Sequence, residues 1–297
     1  MHQKLPLLVE VAIEPKAGAD TDKLTAALEQ LIAISARLDT ARDSESGLTI
    51  LRGTDEMALE KAIVQLQELG IPVNVGAPQV AYREVLTDIV IIDYTYKRPV
   101  SPCYQFARVK IEFAPLARGS GFIFRNDAST DAVPAEFIPA VEKGLRAQKD
   151  SGLLAGFPVI DFQANLLDGA YHEVDSSPFA FDVAARIAFR ELANKNVVQL
   201  VEPLMKVEVA TPECFLGGVI GDLNARRAQD LEATSGWFYQ LVTALVPLAN
   251  MFGYRQTLDA ICQSRAGYEM EFTHYEPVPD PGSTDPTFPG AMGMRVA

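Results

Sequence analysis

Alternating apolar and polar residues predict a β-strand near the start of the chain, and the same pattern returns two thirds of the way along. Residues 6–15 read PLLVEVAIEP and residues 203–212 read PLMKVEVATP, with the same flanking prolines. Successive side chains of a strand point to opposite faces, so both segments predict half-buried strands. A helical spacing of apolar residues follows each segment. These residues are Leu24, Leu28 and Leu31 after the first segment, and Phe215, Val219 and Leu223 after the second.

Both strand–helix pairs continue into further strands and a second helix. The next elements are predicted at residues 48–51, 54–69 and 71–75 in the first part of the chain, and at residues 241–246, 250–264 and 268–275 in the last part. An order of strand, helix, strand, strand, helix, strand is that of the ferredoxin-like split βαβ sandwich. We therefore predict two ferredoxin-like domains, residues 1–77 and residues 200–278.

The middle of the chain, residues 78–199, has a different pattern and predicts a domain of its own. Alternation at residues 108–113 and 160–166 indicates half-solvated strands, and the Ser-Pro pair at 177–178 marks the start of a helix. Residues 279–297 are rich in proline and predict an extended C-terminal tail. The predicted fold class is therefore α+β, with two ferredoxin-like modules flanking a central α+β domain.

The charge of the 297 residues limits the function. The net charge is −13, with 39 Asp and Glu against 26 Lys and Arg. Binding nucleic acid over a whole surface needs a surplus of cations, so this class of protein is excluded. Residues 1–78 have 7 cations against 12 acids, residues 79–199 have 13 against 15, and residues 200–297 have 6 against 12. A local basic surface in the middle domain is compatible with this distribution.

One stretch of the middle domain, residues 94–111, contains cations and no acid. Aromatic residues lie between the cations, and together these residues are Tyr94, Tyr96, Lys97, Arg98, Tyr104, Phe106, Arg108 and Lys110. Basic side chains along a phosphate track, with aromatic rings for stacking, are what RNA contacts use. The alternative interpretation is a solvated strand, loop and strand with aromatic rings on the inner face.

Residues 168–177 (DGAYHEVDSS) place His172 on a polar turn between a strand and a helix. Acidic neighbours make one hypothesis a metal or hydrolytic site around Asp168, His172 and Asp175. The chain has only 3 histidines, and the spacing of the other two would not complete such a site. A loop histidine with internal partners and an RNA-facing tip residue are the other two interpretations.

Residues 217–227 (GGVIGDLNARR) contain three glycines but do not match a phosphate-binding loop. The motif GxxxxGK followed by Ser or Thr is absent from the sequence, and these glycines fall inside a predicted helix rather than before one. Close packing of the helix is the better explanation for them. Arg226 and Arg227 at the predicted helix C-terminus suit the helix dipole, and contact with an anionic partner is the alternative.

The sequence predicts neither a membrane span nor a zinc site. The apolar stretch at residues 242–254 is interrupted by proline and asparagine and is shorter than the roughly 18 residues that a span needs. The N-terminus lacks the cleavage pattern of a secretory signal. Cys103, Cys214 and Cys262 lie far apart, which predicts free thiols rather than a disulfide framework. We expect a cytoplasmic protein without a membrane partner.

Five strings of the sequence, in their order along the chain, resemble bacterial translation elongation factor G. They lie at residues 76–84 (GAPQVAYRE), 168–177 (DGAYHEVDSS), 202–209 (EPLMKVEV), 221–227 (GDLNARR) and 246–254 (VPLANMFGY). The resemblance extends from about Leu7 to Val278 and implies the third, fourth and fifth domains of that family. The family's GTP-binding domain and its second, barrel domain have no counterpart in these 297 residues. We therefore expect no catalytic residue, metal or cofactor here, with GTP belonging to the missing domain of the parent protein.

The resemblance implies a role on the ribosome. In this family the fourth domain reaches the decoding site and occupies the space that a moving transfer RNA leaves. The third and fifth domains contact the ribosome near its factor-binding centre. Partners are then ribosomal RNA, transfer RNA and ribosomal proteins, and the chain is expected to be a monomer. The residues expected to contact RNA or the ribosome are Lys97, Arg98, Gln105, His172, Asp175, Arg226 and Arg227.

The sequence departs from the family pattern at the first of the two tip loops. The family reads like His-Lys-Lys-Gln followed by Gly-Gly-x-Gly-Gln, whereas residues 96–105 read YKRPVSPCYQ. Two prolines fix φ where glycine would be free, so a stiffer loop of different shape is predicted. An alternative function within the family is therefore ribosome recycling or protection.

Overall fold

The computed structural model describes residues 6–16, 21–42, 48–100, 103–236 and 238–279. Two compact units make up the chain. Unit 1 combines the described residues of Met1–Ala81 with Glu202–Glu276, and unit 2 contains Tyr82–Val201. The predicted tail at residues 279–297 lies outside the described residues except for Pro279. Among the helices of the described residues, none is both long enough and apolar enough to span a membrane.

The first module of unit 1 has the predicted βαββαβ order. Its elements are β1 (Val9–Pro15), α1 (Thr21–Ile34), β2 (Leu38–Arg42), β3 (Thr49–Gly53), α2 (Glu56–Glu68), β4 (Val73–Val75) and a short β5 (Gln79–Val80). The sheet order is β2-β3-β1-β4, and β5 also pairs with β1. Leu24, Leu28 and Leu31 are buried on α1, as their spacing predicts. Asp55 is the N-cap of helix α2, and its carboxylate accepts the Ala58 N–H at 2.9 Å.

Unit 2 is a four-stranded sheet with helices packed on one face. Its elements are β6 (Arg83–Leu86), β7 (Val90–Val100), β8 (Cys103–Pro115), β9 (Phe122–Asn126), α3 (Ile138–Lys149), β10 (Phe162–Ala170) and α4 (Pro178–Arg190). The sheet order is β7-β8-β10-β9, and only β9 and β10 run parallel. The predicted alternation on β8 is confirmed, because Val109, Ile111 and Phe113 are fully buried in a core that includes residues of both α3 and α4.

A buried carboxylate fixes the segment between α3 and β10. Glu84 has no exposed surface. Its two oxygens accept four backbone N–H bonds of 2.6 to 3.2 Å from residues 153, 154, 155 and 157. Burying a carboxylate without partners is costly, so these four donors satisfy the charge and hold the segment in place.

The second module of unit 1 repeats the topology of the first. Its elements are the unit 1 part of β11 (Val198–Thr211), then α5 (Leu216–Ala225), β12 (Gln229–Ser235), β13 (Gln240–Pro247), α6 (Tyr254–Cys262) and β14 (Gly267–Pro277). The sheet order is β12-β13-β11-β14, the same as in the first module. The predicted α+β class with two ferredoxin-like modules is confirmed. Val219 and Leu223 are fully buried on α5, whereas Phe215 lies one turn earlier and is half-buried.

Some elements differ from the sequence prediction. The predicted order requires a strand after the first helix of each module, but the sequence pattern assigned no residues to it. Strands β2 and β12 are these strands, and most of their residues are exposed or half-exposed and show no clear alternation. Asn165 was expected on a solvated face but is buried, and its amide donates to the Asp127 carboxylate at 2.7 Å. Helix α6 begins at Tyr254 rather than near residue 250, after Gly253 with a φ of +67°.

Candidate functional site

Strands β7 and β8 form a hairpin that presents two of the predicted contact residues at its end. In the register, Lys97 lies opposite Phe106 and Arg98 lies opposite Gln105. Lys97 and Arg98 are exposed, and neither has an ion pair within the part of the chain that the structure describes. Gln105 is half-buried, and its Oε1 accepts the Tyr96 hydroxyl at 3.3 Å. The hairpin end therefore carries two uncompensated cations beside a fixed amide.

The other two cations of the basic stretch lie farther along the hairpin beside acids. Arg108 donates from Nε to Asp93 at 2.8 Å and from Nη1 to Asp168 at 3.4 Å. The bond from Arg108 lowers the pKa of the Asp93 carboxyl below its ordinary value. Lys110 lies directly opposite Asp93 on the neighbouring strand. Within residues 94–111 the positive charge available to a partner is therefore concentrated at Lys97 and Arg98.

The aromatic residues of this stretch are divided between the two faces of the sheet. Tyr96 is buried in the core of unit 2, and Tyr94 packs against that core. Tyr104 is 52% exposed, and its ring centroid lies 5.9 Å from the Lys97 Nζ. The sequence left open whether the rings serve RNA stacking or inner packing, and the structure divides them. Of the four aromatic residues of the stretch, all described by the structure, only Tyr104 offers a largely exposed ring beside the free cations.

The loop between β10 and α4 is bonded to the start of β8. Phe106 donates its N–H to the Asp175 carbonyl at 2.9 Å, and Tyr104 donates its N–H to the Asp175 carboxylate at 3.4 Å. The Ser176 hydroxyl donates to the Phe106 carbonyl at 2.7 Å. These three bonds join segments about 70 residues apart in sequence. The two predicted tip loops are thus adjacent, and five of the seven predicted residues lie at one end of unit 2.

The imidazole of His172 stabilises the turn that follows it. Its Nδ1 accepts the N–H groups of Val174 and Asp175, both at 3.3 Å. The His172 N–H donates to the Ser176 hydroxyl at 2.9 Å, and the Ser176 N–H donates to the His172 carbonyl at 3.0 Å. His172 therefore acts as Asp or Asn does when its side chain caps a turn. The side chain nevertheless remains 58% exposed.

A β-bulge and a glycine set the course of β10 before this loop. The register with β8 shifts between Leu166 and Asp168, which leaves Leu167 as an extra residue. After the shift, Gly169 lies so close to β8 that an added Cβ would be 2.5 Å from both the Arg108 carbonyl and a Val133 methyl. A side chain at position 169 would therefore push the loop away from the hairpin.

Apolar side chains are also exposed at this end of unit 2. Val174 is 75% exposed, and Tyr171 and Phe179 are exposed on either side of the turn. We call Lys97, Arg98, Tyr104, Tyr171, His172 and Val174 the tip surface, and the exposed Glu173 places one carboxylate beside it. The tip surface combines free cations, a ring open to stacking and side chains with hydrogen-bonding groups. Such a mixture suits a nucleic acid that displays phosphates and bases.

The remaining predicted contact residues, Arg226 and Arg227, lie in unit 1 and have internal partners. Arg226 donates to Asp222 at 2.8 Å, to the Asn250 carbonyl at 2.6 Å and to the Thr257 hydroxyl at 3.0 Å. Its guanidinium carbon lies 5.0 Å from the centroid of the Tyr254 ring. The side chain is only 17% exposed, so these contacts account for Arg226 without an external partner.

Arg227 follows α5 in a left-handed conformation with a φ of +66°. It donates to Glu202 at 2.9 Å, and the Glu202 side chain is only 4% exposed. The glycines before these arginines lie inside α5, as predicted, but only Gly218 is closely packed. An added Cβ there would be 3.0 Å from Ile261, whereas Gly217 and Gly221 face open space. The close-packing explanation therefore applies to one glycine of the three.

The geometry around His172 differs from that of the hypothetical metal or hydrolytic site. Asp168 is bonded to Arg108, whereas Asp175 lies next to the ring, with its Oδ2 3.4 Å from Nδ1. The described residues contain no group of three His, Cys, Asp or Glu side chains that could hold a metal ion. Cys214 is exposed and Cys262 is buried, and both are free thiols.

Sequence reasoning did not select two residues that organise the tip. Ser176 forms hydrogen bonds within its own loop and to Phe106 of β8. Arg108 connects β7 to β10 through its two carboxylate partners, Asp93 and Asp168. A serine just before the start of a helix gives no signal of a bond to a strand 70 residues earlier. The sequence shows Arg108 only as part of a basic stretch, since its carboxylate partners lie on other strands.

Comparisons with known proteins cover nearly all of the described chain. Family models match residues 6–77 (Elongation Factor G, domain III), residues 78–196 (Elongation factor G, domain IV) and residues 199–284 (Elongation factor G C-terminus). Elongation factor G of Wolbachia pipientis subsp. Culex pipiens is 49% identical over 274 residues, and that of Anaplasma marginale strain Florida is 48% identical over the same length. In both cases the alignment covers 92% of this chain and 40% of the relative.

A solved structure gives the same result. The crystal structure of a Thermus thermophilus protein matches with a TM-score of 0.72 at 33% identity, over 93% of this chain and 42% of the other. The chain thus spans about two fifths of the length of the proteins that it matches.

Proposed function

Over residues 6–284 the chain belongs to the elongation factor G family, and from this we propose that it is the ribosome-binding part of a translocase. In this proposal the whole protein promotes the movement of transfer RNA and messenger RNA and hydrolyses GTP in a domain outside these residues. The partners are ribosomal RNA, transfer RNA and ribosomal proteins. The residues described here bind and position RNA and catalyse no reaction.

One observation carries this proposal: the structure joins the two predicted tip loops at one end of unit 2. The three bonds from Asp175 and Ser176 to the start of β8 hold the loop against the hairpin. Lys97 and Arg98 then lie at the same end as His172. Such a surface can attract phosphates with its cations and orient the RNA through hydrogen bonds.

The hydrogen bonds that hold the two described strands and the loop together explain how the tip surface would act. A surface that fills the space left by a transfer RNA must resist being pushed back. Hairpin β7–β8 is held by a continuous register from Val90 to Val100 and by the core beneath it. Because the loop is bonded to the hairpin, a load on His172 is shared with the sheet.

The sequence of the hairpin end departs from the family pattern, and this departure favours a second function within the same family. Pro99 lies within β7 opposite Tyr104, where the family pattern reads as glycine-rich. Ribosome recycling or protection, rather than peptide elongation, is then the role of the parent protein. A test of whether the full-length parent supports peptide synthesis distinguishes the two functions, since only a translocase sustains it.

Co-sedimentation tests the proposed function. The folded 297-residue chain is mixed with ribosomes at low salt and the bound fraction is measured as salt is added. We expect binding that weakens with salt, because phosphate contacts release counterions. A circular dichroism spectrum of the same sample verifies that it is folded. A folded sample that stays in the supernatant at low salt would contradict the proposal.

A further inference from the structure

We propose that His172 presents a neutral Nε2–H group that donates a hydrogen bond to an acceptor oxygen of RNA. The inference rests on the proposed function and adds a chemical role to it. The histidine would not act as a cation on a phosphate. It would act as a directional donor whose tautomer is set by the protein.

The backbone on one side of the ring determines this tautomer. The N–H groups of Val174 and Asp175 both point at Nδ1, each 3.3 Å away. A nitrogen that accepts hydrogen bonds uses its lone pair and carries no proton. In a neutral imidazole one nitrogen is the acceptor and the other is the donor, so the proton lies on Nε2.

The carboxylate of Asp175 offers the competing arrangement. Its Oδ2 lies 3.4 Å from Nδ1, which would be an ion pair if Nδ1 carried a proton. That proton would face two N–H groups that already point at the same nitrogen. The Asp175 carboxylate also accepts the Tyr104 N–H at 3.4 Å, so it has a partner without the imidazole. Two donors directed at Nδ1 outweigh one acceptor beside it.

The opposite side of the ring is available to a ligand. Within the described residues, Nε2 has no hydrogen-bond partner, and the side chain is 58% exposed. Because Ser176 and Asp175 hold the turn at both ends, the direction of the Nε2–H is fixed before RNA arrives. A fixed donor loses little conformational entropy on binding, which favours recognition of an acceptor in one position.

The class of acceptor follows from the chemistry of the donor. A neutral N–H can bond to a 2′-hydroxyl oxygen, a phosphate oxygen or a base carbonyl of the messenger or transfer RNA. It neutralises no phosphate charge and therefore releases no counterion. The contact should strengthen binding without adding to its salt dependence, in contrast to a contact from Lys97.

Nitrogen NMR tests the tautomer. Protein labelled with ¹⁵N-histidine gives long-range proton–nitrogen spectra whose pattern distinguishes an Nε2–H from an Nδ1–H ring. The chain has 3 histidines, and the His172 signals are identified by their loss in a His172→Asn variant. We expect the pattern of a ring that carries its proton on Nε2. A ring with a proton on Nδ1, alone or together with one on Nε2, overturns the proposal.

Paired substitutions test the donor. In His172→Asn the amide oxygen takes the position of Nδ1 and can keep the turn, but the outward donor is lost. We expect ribosome binding about 3- to 10-fold weaker, the value of one hydrogen bond, with an unchanged salt slope. In His172→Gln the amide reaches the Nε2 position, so this variant should bind more tightly than His172→Asn. Amide chemical shifts of Val174 and Asp175 report whether the turn is intact.

The outcomes separate this inference from the proposed function. If the unsubstituted chain does not bind ribosomes, the proposed function fails. If it binds and His172→Asn binds equally well with the turn intact, only the donor role fails. A salt slope that falls by about one in His172→Asn would make His172 a cation and overturn the inference. An order with His172→Gln weaker than His172→Asn also contradicts it.

Discussion

Two pairs of adjacent cations, Lys97 with Arg98 and Arg226 with Arg227, have opposite surroundings. The first pair is exposed at the end of a hairpin and has no ion pair among the described residues. In the second pair, Arg226 is held by three hydrogen bonds and Arg227 is bonded to Glu202. Both pairs have the same charge and spacing in the sequence, so neither property tells which pair is available to a partner.

The difference comes from the backbone around each pair. At the hairpin end the two strands contribute few acids, and none of the described residues forms an ion pair with Lys97 or Arg98. At the C-terminus of α5, helix α6 and the turn before it approach closely and provide the Asn250 carbonyl and the Thr257 hydroxyl. Availability of a charge is thus decided by which elements the topology brings beside it.

The largest expected effect is the loss of stability in Arg226→Ala. The substitution removes three hydrogen bonds and leaves the Asp222 carboxylate, itself 19% exposed, without its partner. We expect the free energy of unfolding to fall by about 3 kcal/mol. Urea denaturation followed by circular dichroism measures it.

Arg255→Ala is the matched control for this prediction. Arg255 also bonds an acid four residues away, but its side chain is 61% exposed. Exposed pairs of this kind contribute about 0.5 kcal/mol or less. Equal losses of unfolding free energy in the two variants would show that the surroundings of Arg226 do not raise its contribution to stability. The contrast between the two pairs of cations would then be wrong.

The second effect concerns affinity rather than stability. In the double variant Lys97→Gln, Arg98→Gln we expect ribosome binding about tenfold weaker and a salt slope lower by about 2, since two phosphate contacts are lost. The free energy of unfolding should change by less than about 0.5 kcal/mol, because neither residue has an internal ion pair among the described residues. Lys143→Gln makes the same kind of charge change at an exposed site on α3 and should leave the slope unchanged. An identical slope in all three proteins would refute the assignment of the tip cations.

The smallest effect is expected for the pair of Arg108 and Asp93, in which the cation shares features of both pairs above. Arg108 is part of the basic stretch but has carboxylate partners, and it lowers the pKa of Asp93. The contribution of this pair is complete above the ordinary pKa of the Asp93 carboxyl and is lost as pH falls through the lowered pKa. Both side chains are about a third exposed or more, so Asp93→Asn should cost less than about 1 kcal/mol at pH 7. Unfolding measured from pH 7 downward follows the difference, which should shrink as pH falls below the ordinary pKa of the Asp93 carboxyl. A difference that does not change with pH would exclude the ion pair as its cause.

Much of the fold was predictable because the strongly alternating and strongly helical segments are also the buried ones. The Val109, Ile111 and Phe113 alternation and the Leu24, Leu28 and Leu31 spacing both mark core positions. Strands β2 and β12 were missed because they lie at sheet edges with little burial. Their position depends on pairing with β3 and β13, which local sequence does not encode.

The tip surface was predictable in part. Motif resemblance selected Lys97 and His172, whereas their proximity depends on bonds between segments about 70 residues apart. The orientation of the His172 ring depends on the two backbone N–H groups that donate to its Nδ1. Nearly every residue has such a group, so no side-chain pattern in the sequence reveals them. The same limit applies to Arg226, whose carbonyl partner at Asn250 leaves no mark in the sequence.

The bulge at Leu167 has a consequence for how β10 tolerates changes in length. Up to Leu166 the even-numbered residues face the core, and after the bulge the odd-numbered Gly169 does so. Deleting Leu167 would restore a regular ladder with Asp168 still on the outer face beside Arg108. Deleting a residue earlier in the strand, such as Gln163, would instead exchange the two faces between that point and the bulge. The strand can therefore lose the residue at the bulge and keep its two faces, whereas losing a residue earlier in the strand exchanges them.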